Sequence, residues 1–394
     1  MKLLHTADWH IGRTLNGHSL MQEQQYVFEQ LLKIAQKEKV DGIIIAGDLY
    51  DRSIPGVDAV SVLNEMLKKM NIVAKLPIYA ISGNHDGAKR LHYGREWLQF
   101  HDLHLHTLLE DAFTPVETPE AQIFLLPFFD PMDARVYYAA KGMDEEKVKG
   151  IKTIHQAMKL VIKDFELQFN PAKKQILVTH FAVTKNEGEQ IDLTSETTSK
   201  VGGLASIPSN LFEAFDYVAL GHIHTHLASP QKNIQYAGSL TKFSIKEARK
   251  QMKKGVFIVE IGDEITSIFH AIAPYKDILV LEETWETLIN PEFYGQYQGK
   301  QTGFAIVIKE FDRASLAGQN IRGKLQEIYG TVYDLAYEDL KQTNALSKVA
   351  QVDEEMSNEE IVSMFYQQAT DEELSEIQND LIEDIFIKLG KEKA

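Results

Sequence analysis

Residues 42–52 read GIIIAGDLYDR: a short apolar run, a glycine, and two aspartates three positions apart. The run Gly42 to Ala46 has the length and β-branched content of a strand, so it predicts one. Asp48 then falls just past the carboxyl end of that strand, where open α/β sheets place their sites.

Working outward, the same unit recurs. Further strands are predicted at Lys2 to Ala7, Ile78 to Ile81, Ile123 to Leu126, Ile176 to Val178, Tyr217 to Ala219 and Gly255 to Ile261. Between the first two strands, Leu20 to Lys39 carries Val27, Leu31 and Ile34 at helical spacing, and Val57 to Met70 repeats the pattern. Short apolar runs alternating with helices signify a layered α/β fold, here over residues 1–272. The pattern restarts after Ala273, with strands expected at Ile278 to Leu281, Phe304 to Ile308 and Thr331 to Tyr337 and a helix from about Asp312 to Ile328. That is a small α+β domain, residues 275–340. Residues 341–394 begin as a polar linker and continue as two helices, the second opened by a capping box of Thr370 and Glu373. In that helix Leu374, Ile377, Leu381, Ile385 and Leu389 form an apolar stripe, which either docks on the first domain or binds a partner.

With 394 residues the chain is too long for one ordinary domain. It has no cysteine, which excludes disulfide frameworks, zinc ribbons and thiol catalysis and suits a reducing cytoplasm. The start, MKLLHTADWH, lacks the layout of a signal peptide, and no apolar run approaches the roughly 18 residues of a membrane helix. A soluble cytoplasmic protein without membrane contact is expected. The net charge of −16 opposes a polyanionic ligand. Residues 351–394, however, hold 13 Asp and Glu against 3 Lys, a net of −10, which leaves −6 for the first 350 residues. Most of the acidity is a tail.

Five segments place candidate ligands past strand ends: Asp8 and His10 in ADWH, Asp48 in GDLYDR, Asn84, His85 and Asp86 in GNHD, His180 in VTH, and His222 with His224 in GHIH. Asp8 and His10, two apart, should share one face of an extended chain, and His222 with His224 should repeat that geometry. Two cations about 3.5 to 4 Å apart need an anionic bridge, and Asp48 with its two oxygens is the natural one. Such a pair would make a nucleophile of water near neutral pH and direct it at phosphorus. His85 could protonate a leaving oxygen or hydrogen-bond a phosphoryl group, with Asp86 orienting it or its surroundings. The set of oxygen and imidazole without sulfur admits manganese, iron or zinc. His5, His18, His92, His101, His104, His106 and His155 belong to no ligand pattern and are expected to be structural. Basic residues suited to phosphate contact are Lys242, Lys246, Arg249, Lys250, Lys253 and Lys254, with Arg13, Arg52 and Arg90 near the ligand motifs.

The ordered motifs resemble those of the metallophosphoesterase superfamily over about the first 245 residues. Within it, LLHTADWHIGRTL, GDLYDRSIPG and YAGSLTKFSIKEARKQMKKG closely resemble the SbcD nuclease subunit family. The resemblance implies a layered β-sandwich flanked by helices, with a small α+β capping domain and C-terminal helices. It also implies a manganese-dependent 3′ to 5′ exonuclease on duplex DNA and endonuclease on hairpins and single strands, serving repair, replication and recombination. One metal would take Asp8, His10, Asp48 and His224, the other Asp48, Asn84, His180 and His222, with His85 as the catalytic histidine. The implied partners are DNA, a coiled-coil ABC-type ATPase of the SbcC kind and a second copy of the chain. Having no glycine-rich phosphate loop of its own, the chain would draw any ATP dependence from that ATPase. Two rival readings remain: a metallophosphoesterase for small molecules or phosphoproteins, and a scaffold whose metal site is incidental.

Overall fold

The computed structural model describes residues 1–186, 189, 206–299, 301–311 and 318–339, and within 340–394 only 362, 363, 366, 367, 374, 375, 377–379, 381 and 382. The chain divides into two compact units, Met1–Lys309 with Leu316–Tyr337, and Glu310–Ser315 with Glu338–Ala394.

Alternation along the strands sorts the core of the first unit into layers. In Gly42–Ala46 every residue is buried; Ile43 and Ile45 face one apolar cluster, Ile44 and Ala46 another. Ala121–Leu126 behaves alike, Ile123 and Leu125 pointing opposite to Phe124 and Leu126. A strand with two apolar faces must be covered on both. Here the inner faces of two sheets meet each other, with Leu3, Ile44, Ile81, Ile123, Val178 and Val259 in one cluster. Helices Met21–Glu38 and Val57–Leu67 cover the outer face of the first sheet, and Ile154–Glu166 covers that of the second. The result is the expected layered α/β sandwich.

The first sheet has six strands in the order Ile265–Ile272, Lys254–Ile261, Lys2–Thr6, Gly42–Ala46, Ile78–Ile81, Leu103–His106. Its last four strands run parallel, so their carboxyl ends lie on one edge, whereas Lys254–Ile261 pairs antiparallel with both neighbours. The second sheet runs Ile234–Tyr236, Tyr217–Leu220, Lys174–Thr179, Ala121–Leu126, Val116–Glu117, parallel except for the last pair. Four of these strands escape prediction from sequence. Leu103–His106 alternates leucine with histidine, and Ile265–Ile272 is a half-exposed edge strand broken by Ser267 and His270. Val116–Glu117 and Ile234–Tyr236 are only two and three residues long. The helix expected over Val57 to Met70 is α-helical to Leu67 and continues as a π-helix over Lys68–Val73.

Strands Asp277–Thr284, Thr302–Phe311 and Val332–Asp339 form a separate three-stranded sheet with Thr302–Phe311 central, accompanied by the helix Ile321–Tyr329. Ile278, Ala305 and Tyr333 from this sheet share a buried cluster with Leu15, Leu20, Phe243 and Ala248. The start of the helix expected from Asp312, residues 312–317, lies outside the described residues, as do Thr370, Glu373, Ile385 and Leu389 of the C-terminal stripe. Ile377 and Leu381 of that stripe are described and exposed. Among the described residues no helix is long and apolar enough to cross a membrane.

Phe165 is fully buried, its ring 4.9 Å from that of Phe124 and 5.3 Å from that of Phe113. Truncation there removes a large buried ring and leaves a cavity, so we expect Phe165→Ala to cost about 3–5 kcal/mol in urea unfolding. A loss under about 1 kcal/mol would mean that this layer is not packed as described.

Candidate metal centre

Each of the five motif segments leaves the end of a strand. Asp8 follows Lys2–Thr6, Asp48 follows Gly42–Ala46, Asn84 follows Ile78–Ile81, His180 follows Lys174–Thr179, and His222 follows Tyr217–Leu220. The reason expected for their convergence is wrong in detail. Asp8 and His10 do not share the face of an extended chain, because the strand stops at Thr6 and φ is +53° at Asp8 and +44° at His10. Asp48 (+52°) and His222 (+90°) are left-handed as well. Such backbone costs about 1–3 kcal/mol per residue and persists only where surrounding bonds hold it. Those bonds are present: the Asp8 N–H donates to Gly47 O at 3.1 Å and the His10 N–H to Asp48 O at 2.9 Å. From the helix Met21–Glu38, the Gln24 amide donates to the Trp9 and His10 carbonyls at 2.9 and 2.7 Å.

Two glycines let the segments close up. A Cβ on Gly221 would stand 1.9 Å from Ala46 O and 2.7 Å from His180 Nδ1. One on Gly47, where φ is +89°, would stand 2.3 Å from the same nitrogen. Both sheets therefore meet backbone to side chain at the site, with no room for another carbon.

The structure brings all seven candidate ligands into one buried cluster, with His85 half-buried beside it. Asp48 is central: its Oδ2 lies 3.4 Å from His10 Nε2 and 3.2 Å from His180 Nε2, and its Oδ1 accepts the His85 N–H at 2.8 Å. His10 Nε2 faces His224 Nε2 at 3.1 Å. Asn84 Oδ1 is 3.0 Å from His180 Nε2 and 3.1 Å from His222 Nδ1. Asp8 Oδ1 accepts the His222 N–H at 2.9 Å. Ligand atoms of Asp8, His10 and His224 lie within 4.8 Å of one another, and so do those of Asp8, Asp48 and His180.

Electrostatics suit cations. Burial pulls His10 and His224 well below the usual histidine range, so both rings are neutral with a lone pair to offer. For His180 burial acts the same way, but the carboxylates of Asp48 and Asp8 outweigh it and hold the ring up to about 9. Burial would raise Asp48, yet the facing charged ring of His180, which also hydrogen-bonds it, keeps it well below the usual carboxylate range. His180 Nδ1 donates to Ala46 O at 2.7 Å, which aims Nε2 at the carboxylate. Imidazole, carboxylate and amide oxygen, crowded together and oriented from behind, are a fitting donor set for first-row divalent cations, with the His180 proton the one a cation would displace.

His85 Nδ1 donates to Asp51 O at 2.9 Å, and its ring stands edge-on to that of His10 at 4.6 Å. This bond sets the tautomer and leaves Nε2 as the working atom. Asp86 acts on the backbone: its carboxylate accepts N–H bonds from Leu49, Tyr50 and Gly83 at 3.1, 2.9 and 2.9 Å. It thus ties the loop of Asp48 to the loop of Asn84. Burial and the charge of Asp48 push it up to about 7 against those three bonds. Sequence reasoning passed over Asp51 and Gln24, although Asp51 stands inside the motif GDLYDR. His5 is buried between Tyr217 Oη and Leu220 O, a structural histidine as expected. Lys254 is not a phosphate contact: it is buried and donates to His224 O at 2.8 Å.

A family model described as calcineurin-like phosphoesterase matches residues 1–226. The SbcD subunit of the nuclease SbcCD from Staphylococcus epidermidis is 31% identical over 386 residues, covering 98% of this chain and 98% of that protein. Among solved structures, a dimetal phosphatase from Danio rerio aligns with a TM-score of 0.37 at 10% identity, covering 69% of this chain and 99% of that one.

Because a methyl group at Gly221 would collide with Ala46 O and His180, we expect Gly221→Ala to lose about 1–3 kcal/mol of stability and to weaken metal binding. Gly262→Ala, whose added carbon meets nothing nearer than 3.7 Å, should stay within about 0.5 kcal/mol of the parent. Thermal melts and calorimetric manganese titration of the two variants check this; equal behaviour would contradict the close approach.

Proposed function

Because the chain belongs to the calcineurin-like phosphoesterase family and, within it, to the SbcD family of nuclease subunits, we propose that it is the nuclease subunit of an SbcCD-type complex, hydrolysing DNA phosphodiesters at a two-metal centre. The observation that carries this reading is the buried Asp48 carboxylate, within reach of both His10 and His180. One cation would be held by Asp8, His10, Asp48 and His224, the other by Asp48, Asn84, His180 and His222. The oxygen and imidazole set admits manganese, iron or zinc, and manganese is the metal we favour because the resemblance to the SbcD family implies it. When bound, the two cations lower the pKa of water and neutralise charge on the phosphoryl group.

The remaining work falls to the chain itself. His85, with Nδ1 committed to Asp51 O, presents Nε2 to hydrogen-bond the phosphoryl oxygen or protonate the leaving oxygen. Asp86 is a positioning residue, since its three backbone bonds fix both metal loops. Phosphate contacts come from residues such as Arg52, whose side chain is 75% exposed, and Lys253 and Arg90. Cleavage proceeds 3′ to 5′ on duplex ends and endonucleolytically on hairpins and single strands, in repair, replication and recombination.

The proposed assembly includes a coiled-coil ABC-type ATPase and a second copy of the chain, in the cytoplasm. Exposed Ile377 and Leu381 support an ATPase-binding stripe in residues 341–394. Exposed Tyr93 and Trp97, whose rings lie 6.3 Å apart, support a self-association face, because adjoining exposed apolar side chains mark interaction surfaces. Residues 275–340, carrying the separate three-stranded sheet, serve as the capping domain.

End-labelled duplex and hairpin DNA, digested by the purified chain and by the chain with its ATPase, tests the reading. Cleavage should require manganese, stop with chelator, and fall at least about 100-fold in His85→Ala. His85→Ala should retain two manganese ions and Asp48→Ala should not. Metal loss in His85→Ala, or DNA left intact by the complete complex while a generic phosphodiester is hydrolysed, would contradict it.

A further inference from the structure

Lys254, first residue of the strand Lys254–Ile261, is a buried ammonium whose three donors are all engaged. It donates to His224 O at 2.8 Å and Ser239 Oγ at 2.8 Å, and pairs with Glu247 Oε2 at 3.0 Å. Glu247 is fully buried in the short helix Ile245–Arg249. Its Oε2 also accepts the Phe243 N–H at 2.9 Å, and its Oε1 lies 4.0 Å from His224 Nδ1. The Phe243 ring stands edge-on to His10 at 5.3 Å and to His224 at 5.4 Å. One end of the ion pair therefore holds the main chain of His224, and the other holds the residue that wedges the rings of His10 and His224.

A buried ion pair is a poor source of stability, because desolvation consumes most of its attraction. Its value here is geometric. Being neutral as a pair, Lys254 and Glu247 orient a ligand without altering the charge of the pocket. The contacts are also one-sided: they meet the group of Asp8, His10 and His224, while His180 hangs from Ala46 O on the strand Gly42–Ala46.

Resting on the two-metal reading above, we infer that the Lys254–Glu247 pair, acting through His224 and Phe243, is the positioning unit of one metal pocket and governs the affinity of that pocket more than that of the other. Outer partners of metal ligands commonly control affinity in this way.

The test is calorimetric manganese titration of the full chain, with His224→Ala and His222→Ala marking which site is which. The double variant Glu247→Gln with Lys254→Met removes both charges together and leaves no buried charge unpaired. We expect it to weaken the site lost in His224→Ala by about 10–100-fold and leave the other within about threefold. Phe243→Leu keeps the ion pair and removes the wedge, so it should weaken the same site and decides the matter should the double variant not fold. Equal weakening of both sites, or none, in a folded variant would overturn this inference alone. A parent chain that binds fewer than two ions would overturn the two-metal reading and this inference with it.

Discussion

The carboxylate of Asp48 is the point on which the site is hung. It is buried, lies against imidazoles contributed by both sheets, and receives the backbone N–H of His85. A carboxylate taken out of water is costly unless opposite charge or hydrogen bonds replace the solvent. The surroundings of Asp48 follow from that constraint. Strand ends from two sheets must approach closely enough for His10 and His180 to reach it, and this closeness requires glycine at 47 and 221. Asp86 then ties the Asp48 loop to the Asn84 loop so that the ligands stay where the strands deliver them.

The same crowding explains why stability and function pull apart here. Left-handed backbone at Asp8, His10, Asp48 and His222 stores strain that a stability-optimised loop would avoid. The apolar layers of the sandwich, with Ile43, Ile45, Phe124 and Phe165 fully enclosed, offset that strain. Rigidity away from the site is what permits an unfavourable arrangement within it.

Much of this was legible in the sequence, for physical reasons that differ between residues. Ligand motifs stood out because Asp, Asn and His past strand ends have few other uses, and the central strands because runs such as GIIIA can only be buried. The means of convergence was not legible. Spacing of two suggested an extended chain at Asp8 and His10, whereas the real loop reverses its backbone, and that choice is made by distant partners such as Gln24. Lys254 misled for a related reason: within KQMKKG it looks like one more surface lysine, and only its place opening a central strand buries it. Edge strands such as Ile265–Ile272 stayed hidden because half-exposed strands tolerate polar residues.

In the proposed centre Asp48 would lie between two cations, with His85 beside them. Crystals of the chain grown with manganese and recorded at the manganese absorption edge address it most directly. A bridging Asp48 predicts two anomalous peaks, about 3.5–4 Å apart, on either side of its carboxylate. A single peak, or peaks remote from Asp48, would contradict it.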